Sequence, residues 1–160
     1  MKKQVVCHDK DWNKFKVPAE KFLIRPSVYG VIVRGNKVLL SPQWDGYDFP
    51  GGGIKKGETI EEALIREVWE ETGYNVKMGK LLDVFDTFFK AHFYNKYFQC
   101  ILLYYICHIR SGKISTANFD KEERQYAKAA QWIDVKDVGK LKFYNSANSV
   151  KLIKEAAKIK

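Results

Sequence analysis

The chain has 160 residues, a net charge of +9 and a hydrophobic fraction of 46%. This length predicts one domain with a core of its own, and the hydrophobic content excludes a disordered chain. No apolar run reaches the roughly 18 residues that a membrane-spanning helix needs, so we predict no membrane partner. The positive charge favours polyanionic partners such as nucleotides or RNA, although lysines spread along a chain more often form a solvated surface.

Residues 1–24 are polar and mixed in character, which predicts a short edge strand or an N-terminal arm. Their opening, MKKQVVCHDKDW, lacks the apolar segment of a secretion signal. The three cysteines, Cys7, Cys100 and Cys107, form an odd set without C-x-x-C spacing. We therefore expect free thiols in a reducing compartment and a cytoplasmic protein.

A hairpin is predicted by two apolar, β-branched runs, VYGVIV and KVLLS, which meet at Arg34-Gly35-Asn36. The segment YDFPGGG then predicts a short strand that ends in a glycine turn. A helix follows. It is expected to begin after Thr59, where T-I-E-E matches a capping box, and to end at Gly73.

The second half of the chain predicts further strands and a second helix. One or two strands are expected in NVKMGKLLDVFDTFF, a central strand in YFQCILLYYICHI, a polar loop in RSGKISTANFDKEERQYAK and a last strand in AAQWIDVKDVGKL. The C-terminal SANSVKLIKEAAKIK is amphipathic, with a cap near Ser146 or Asn148 and with Val150, Ile153 and Ala157 facing inward. Strands interspersed with two helices predict an α+β fold in which a mixed sheet is covered on both faces.

The first helix collects negative charge on an unusual side. At ~100° per residue, its core-facing arc contains Ile60, Ala63, Leu64 and Val68. Glu67 and Glu71 fall inside that arc, with Glu70 beside it, although a solvated face should lie opposite. Carboxylates three and four residues apart repel each other, and these lie at the negative end of the helix dipole.

A divalent cation would turn this repulsion into attraction, because Mg²⁺ prefers several oxygen ligands. Arg66 can pair with Glu70 or with Glu58 in the preceding loop, but one guanidinium does not neutralise all of the acids. The run PGGG lets the backbone approach a ligand closely, and the carbonyl of Gly51 could join the carboxylates. The alternative is a surface acid cluster, which is common in helices.

The spacing of these residues resembles the Nudix box, G-x5-E-x7-R-E-U-x-E-E-x-G-U, in which U is an aliphatic residue. Gly52, Glu58 and the run from Arg66 to Gly73 fill every fixed position. The final aliphatic position is the one departure, because it holds Tyr74. The preceding YDFPGG also looks like the strand and glycine turn of the family.

The resemblance implies a single Nudix hydrolase domain over residues 1–160, built as an α/β/α sandwich with a mixed central sheet. It also implies hydrolysis of a diphosphate linked to another moiety, usually a nucleoside, with Mg²⁺ or Mn²⁺ as the cofactor. The substrate partner would be a nucleotide or a nucleotide conjugate. The oligomeric state is left open, a homodimer included.

Site residues carry over from the family position by position. The metal-binding positions are matched by Glu67, Glu70 and Glu71 and by the backbone of Gly51 or Gly52. Arg66 matches the residue that orients a glutamate, and Glu58 matches the loop glutamate that supports the site.

The catalytic base differs among family members, and the sequence offers Glu67, Glu122 and Glu123 as candidates. Relatives often carry an additional glutamate in the loop before the last strand, which favours Glu123. The alternative is that Glu123 is one acid among the mixed charges of DKEERQ.

Substrate recognition is predicted from aromatic residues on two segments. Phe89, His92 and Tyr94 could stack a nucleobase from one side, and Trp44 and Tyr47 from the other. The alternative is that these rings pack the core. The marks of the ADP-ribose, NADH and dinucleoside polyphosphate branches are missing downstream of the box. An RNA 5′-end pyrophosphohydrolase and a non-catalytic nucleotide sensor therefore stay open beside a nucleotide pyrophosphohydrolase.

Overall fold

The computed structural model describes residues 2–93 and 95–159. Within this part of the chain, the strands are β1 (Gln4–His8), β2 (Lys14–Pro18), β3 (Phe22–Arg34), β4 (Lys37–Gln43), β5 (Gly46–Asp48), β6 (Gly51–Gly53), β7 (Tyr74–Lys90), β8 (Tyr97–Gly112) and β9 (Gln131–Asp134). The helices are α1 (Ile60–Thr72), α2 (Glu123–Tyr126) and α3 (Ser149–Ala156).

The strands form one nine-stranded sheet with the order β2-β1-β7-β8-β3-β4-β5, while β6 pairs with β3 and β9 with β4. Strands β1 and β7 are parallel, as are β3 and β8, and the other pairs are antiparallel. The predicted mixed sheet is therefore confirmed. Strand β8 lies in its middle, as expected of a segment that is apolar on both faces.

Each face of the sheet is covered by one long helix. Helix α1 buries Ala63, Leu64 and Val68 in one hydrophobic cluster, and α3 buries Leu152 and Ile153 in the other. This arrangement confirms the predicted α+β class and the α/β/α sandwich. Burying two apolar faces of one sheet is what holds the strands in register.

Local sequence signals set the ends of α1 as predicted. The Thr59 side chain accepts a hydrogen bond from the backbone N–H of Glu62, and the Glu62 carboxylate accepts one from the N–H of Thr59. Gly73 ends the helix in the left-handed region at φ 79°. Ile60 is a wrong prediction, because it is 37% exposed and burial begins one turn later, at Ala63.

The hairpin of β3 and β4 also turns where predicted, with Arg34 opposite Lys37 and with Gly35 at φ 59°. Strand β3 begins earlier than expected, at Phe22, because residues 22–31 pair with β8 over a long parallel stretch. In α3, Asn148 caps the helix as expected. Ala157 is exposed rather than inward, because the helix ends at Ala156.

The N-terminal segment forms a hairpin of β1 and β2 whose first strand joins the sheet beside β7. The polar loop between β8 and β9 contains the short helix α2, which the sequence did not indicate. Cys7, Cys100 and Cys107 are free and buried, as expected of thiols outside a disulfide framework. Among the helices of residues 2–93 and 95–159, none is long and apolar enough to cross a membrane.

The cap at Thr59 gives a test of how α1 is anchored. Thr59→Ala removes the hydroxyl acceptor of the Glu62 N–H, and we expect a loss of about 1 kcal/mol in the free energy of unfolding. Thr59→Ser keeps the acceptor and should stay near the wild-type value. Urea unfolding of the three proteins measures this, and an alanine variant as stable as wild type would contradict it.

Candidate active site

Three carboxylates from two different elements converge at one point. Glu67 and Glu71 of α1 and Glu123 of α2 each offer an oxygen, and these oxygens lie within 4.8 Å of one another. Like charges this close raise each other's pKa. A cation bound between these carboxylates would therefore be more favourable than water alone.

Glu67 lies where α1 approaches the glycine turn. Its side chain is 12% exposed, and one carboxylate oxygen accepts a 2.7 Å hydrogen bond from Nη1 of Arg66. Burial raises the pKa of Glu67, and Arg66 opposes that rise. A Cβ atom at Gly52 would lie 2.7 Å from Oε2 of Glu67, so a larger residue on β6 would displace this carboxylate from its position.

Glu71 lies one turn further along α1 and accepts a 2.8 Å hydrogen bond from Oγ of Ser41 on β4. Burial raises its pKa well above the ordinary value, Ser41 opposes this, and the nearby Glu67 and Glu123 raise it further. A carboxyl in this position holds a negative charge at high cost unless a cation is beside it.

Glu123 reaches the cluster from the loop between β8 and β9. Its Oε2 atom accepts a 2.7 Å hydrogen bond from the backbone N–H of Asp120, and Oδ1 of Asp120 in turn accepts from the N–H of Glu123. Burial is the main cause that raises the pKa of Glu123; the hydrogen bond from the Asp120 N–H opposes this rise, and the charge of Asp120 adds to it.

Arg66 connects helix α1 to the loop before it and to strand β6. Its Nη2 donates to Oε2 of Glu58 at 2.8 Å and to the carbonyl of Gly53 at 3.2 Å, and its Nε donates to Oε1 of Glu58. Its Nη1 also donates to Glu70 at 3.1 Å. Hydrogen bonds from Arg66 hold the pKa of Glu58 at about 2, so this loop acid stays ionised.

The structure brings together only part of the set of residues that was predicted to bind metal. Glu67 and Glu71 face the cluster, and Glu123 joins them, whereas Glu70 pairs with Arg66 and lies outside the cluster. The three oxygens beside a glycine backbone fit a hard divalent cation, which takes carboxylate and carbonyl oxygens. Gly51 and Gly52 line the adjoining cleft. Ligation of the metal by one of their backbone carbonyls stays a prediction.

A cleft of about 470 Å³ opens beside the cluster. Its walls include Glu71 and Glu123 from the cluster and, among the predicted substrate residues, Trp44, Phe89 and His92. Tyr47 does not line it, because its ring packs against the core and its hydroxyl donates to Gln131 at 3.3 Å. The structure thus does not bring Tyr47 to this cleft, and Tyr94 lies outside the described residues.

Several lining residues had not been expected from the sequence, namely His8, Arg25, Ser41, Asp48, Tyr126 and Asn145. Ser41 carried a signal, since it is a polar residue within a strand that is mostly buried. His8 carried none: its Nε2 lies 3.2 Å from Oγ1 of Thr87, a contact between residues 79 apart in the chain.

A family model described as the NUDIX domain matches residues 23–155. The chain belongs to the Nudix family. An ADP-ribose pyrophosphatase of Methanocaldococcus jannaschii is 31% identical over 125 residues, which is 73% of this chain and 66% of that relative. An RNA pyrophosphohydrolase of Psychromonas ingrahamii is 43% identical over 61 residues, which is 36% of this chain and 34% of that relative.

Solved Nudix structures share the fold. An ADP-ribose pyrophosphatase from Streptococcus suis superposes with a TM-score of 0.63 at 17% identity, covering 84% of this chain and 90% of that one. A NUDIX hydrolase from Nitrosomonas europaea gives 0.61 at 18% identity, covering 85% and 89%. At these identities the likeness extends to the architecture alone.

One carboxyl of this Nudix cleft, that of Asp48, gives a pH test. Asp48 accepts 2.7 Å hydrogen bonds from Nδ2 of Asn145 and from the N–H of Phe49, but burial raises its pKa to about 6. An unfolded aspartate has a pKa of about 3.9, so the folded protein keeps a proton that the unfolded chain loses. The contribution of Asp48 to stability should therefore fall as the pH rises from about 4 to about 6.

Asp48→Asn should remove this part of the pH dependence. The free energy of unfolding of the variant, relative to wild type, should rise by on the order of 2 kcal/mol between pH 4 and pH 6.5 and then level off. Urea unfolding at several pH values without divalent metal measures it. A difference between the two proteins that is flat with pH would contradict the raised pKa.

Proposed function

We propose that the protein is a metal-dependent Nudix hydrolase that cleaves the P–O–P anhydride of a nucleoside diphosphate linked to another moiety. The observation that carries the proposal is the meeting of Glu67, Glu71 and Glu123 at the wall of a cleft of about 470 Å³. Relatives that match the chain over part of their length bear pyrophosphatase and pyrophosphohydrolase names, which supports the same reaction class.

Glu67, Glu71 and Glu123 are the residues that would hold Mg²⁺ or Mn²⁺, with backbone oxygen from Gly51 or Gly52 nearby. A divalent cation held there would neutralise diphosphate charge and lower the pKa of a bound water. Glu70, although it matches a metal-binding position of the family, pairs with Arg66 and would serve to fix the helix turn instead.

Among the three carboxylates that would hold the cation, Glu123 is the one that we assign to accept the proton of the attacking water. This carboxylate stands on the cleft side of the cluster, in a loop apart from α1, and only one of its oxygens is held by the backbone N–H of Asp120. Glu67 is less suited to accept the proton, because Arg66 already donates to it and the glycine strand covers it. Arg66 and Glu58 support the site without touching the substrate.

The cleft has the composition that a nucleotide needs. Arg25, Lys10 and Lys128 are positive side chains on its walls, which favour a diphosphate, and Phe89 offers an apolar ring for a base or sugar. The relatives include an ADP-ribose pyrophosphatase and Bacillus subtilis YtkD, named for 8-oxo-dGTP, so nucleotides with different attached groups are the first candidates.

An RNA 5′-end pyrophosphohydrolase is the second candidate function. It is favoured by the net charge of +9 and by the RNA pyrophosphohydrolase relative. A longer polyanion would contact lysines beyond the cleft, so RNA binding should weaken steeply as the salt concentration rises, whereas nucleotide binding should change little.

The reaction is tested on a panel of ADP-ribose, sugar nucleotides, nucleoside triphosphates, dinucleoside polyphosphates and 5′-triphosphate RNA. We expect cleavage of one class with Mg²⁺ or Mn²⁺ and none after the metal is chelated, because three converging carboxylates repel a diphosphate without it. Phosphate, pyrophosphate and nucleotide products are measured. Binding of a nucleotide without cleavage in the presence of either metal would contradict the hydrolase and support a nucleotide-sensing domain.

Glu71 is the residue whose loss should separate chemistry from folding. Glu71→Gln should lower turnover roughly 100-fold or more, because a ligand charge is lost while the Ser41 hydrogen bond can still form. Glu61→Gln, on an exposed position of the same helix, should leave turnover unchanged. Equal turnover in the Glu71 and Glu61 variants would remove Glu71 from the ligand set.

The same variant has an expected effect on stability. Without metal, the melting temperature of Glu71→Gln should equal or exceed that of wild type, since one of several like charges is gone. A clearly lower melting temperature would mean that the ionised carboxylate has a structural role.

A further inference from the structure

The turn that carries Glu123 is a self-contained unit. Asp120 and Glu123 cap it reciprocally, and the N–H of Ala127 donates to the carbonyl of Glu123 at 2.7 Å. These bonds fix the shape of the turn. They do not fix where the turn lies relative to α1, because each of them joins residues within 120–127.

The turn is attached to strand β4 and the residue that follows it. Gln43 pairs with Ala127 in an isolated bridge, the N–H of Lys128 donates to the carbonyl of Pro42 at 3.0 Å, and the N–H of Trp44 donates to the carbonyl of Tyr126 at 3.1 Å. Strand β4 also carries Ser41, which holds Glu71. One strand thus contacts both the helix carboxylate and the turn that carries the loop carboxylate.

Ring stacking completes the attachment. The Trp44 ring lies over the Tyr126 ring with a centroid distance of 4.5 Å and an interplanar angle of 16°. Trp44 has φ 45°, in the left-handed region that a bulky side chain rarely adopts. Backbone strain at a residue beside a reaction site persists only where the surroundings over-determine it, and here the stack and the Trp44–Tyr126 backbone bond do so.

We propose that Trp44 and Tyr126 are positioning residues that hold Glu123 against Glu67 and Glu71. Tyr126 is three residues from Glu123 within the same helical turn, so a shift of its ring moves the carboxylate with it. The assignment of Trp44 therefore changes from a stacking partner of a nucleobase to a partner of Tyr126, with one ring face already covered. This inference rests on the proposed role of Glu123 as a metal ligand.

The test uses Mn²⁺ alone, so a lost contact with substrate cannot account for the result. Free Mn²⁺ is followed by electron paramagnetic resonance as it is added to the metal-free protein. Tyr126→Leu, which removes the stack, should weaken Mn²⁺ binding by about fivefold, the range expected for loss of one aromatic pair. Tyr126→Phe keeps the ring and should bind Mn²⁺ as wild type does.

A double variant distinguishes positioning from a general effect on folding. If Tyr126 acts through Glu123, then Tyr126→Leu should cause no further loss of Mn²⁺ affinity in a Glu123→Gln background. Tyr97→Leu is the matched control, because the Tyr97 ring packs against Phe22 at a centroid distance of 5.9 Å and belongs neither to the Trp44–Tyr126 stack nor to the cleft wall. It should leave Mn²⁺ affinity unchanged.

Wild-type affinity in Tyr126→Leu, or additive losses in the double variant, would overturn the positioning role while Glu123 stays a ligand. Unchanged affinity in Glu123→Gln would overturn both the positioning role and the place of Glu123 in the proposed site. Loss of Mn²⁺ affinity in Tyr97→Leu equal to that in Tyr126→Leu would also overturn it, since the effect would then be a general one on the fold.

Discussion

The ion pairs of one arginine organise this site. Arg66, whose side chain is 19% exposed, pairs with Glu58 before α1 and with Glu67 and Glu70 within it. Its bond to the carbonyl of Gly53 extends the same contact to the glycine strand. Because one guanidinium fixes the loop, the helix and the strand, the carboxylates that it leaves exposed to the cleft keep a constant direction. A cation that binds between these carboxylates would offset their mutual repulsion.

The parts of the fold that the sequence predicted are those with local causes. The capping box at Thr59 and the left-handed residue at Gly73 fix both ends of α1 within a few residues of chain. The apolar, β-branched runs predict β3 and β4, and the segment that is apolar on both faces predicts β8. The two-residue turn after Arg34 sets one register. The spacing within α1 was enough to bring Glu67 and Glu71 to one side.

The remaining features depend on contacts between distant segments, which spacing cannot supply. Glu123 reaches Glu71 only because the loop after β8 docks on β4, and no pattern in that loop marked a helix. Trp44 and Tyr47 looked equivalent as aromatic residues of one turn, yet the end of β4 and the pairing of β5 send one ring to the cleft and the other to the core. Glu70 matched a metal-binding position of the motif, but its carboxylate forms an ion pair with Arg66, one helical turn away.

The N-terminal hairpin lies outside residues 23–155, the region that the family shares, yet it contributes His8 and Lys10 to the cleft. His8 is held there by its hydrogen-bond contact with Thr87 and by stacking on Trp12 at 4.2 Å. The three carboxylates and these two cleft residues thus belong to separate parts of the chain. A substitution in the hairpin can therefore alter one part of the cleft wall while the elements that carry Glu67, Glu71 and Glu123 stay as they are.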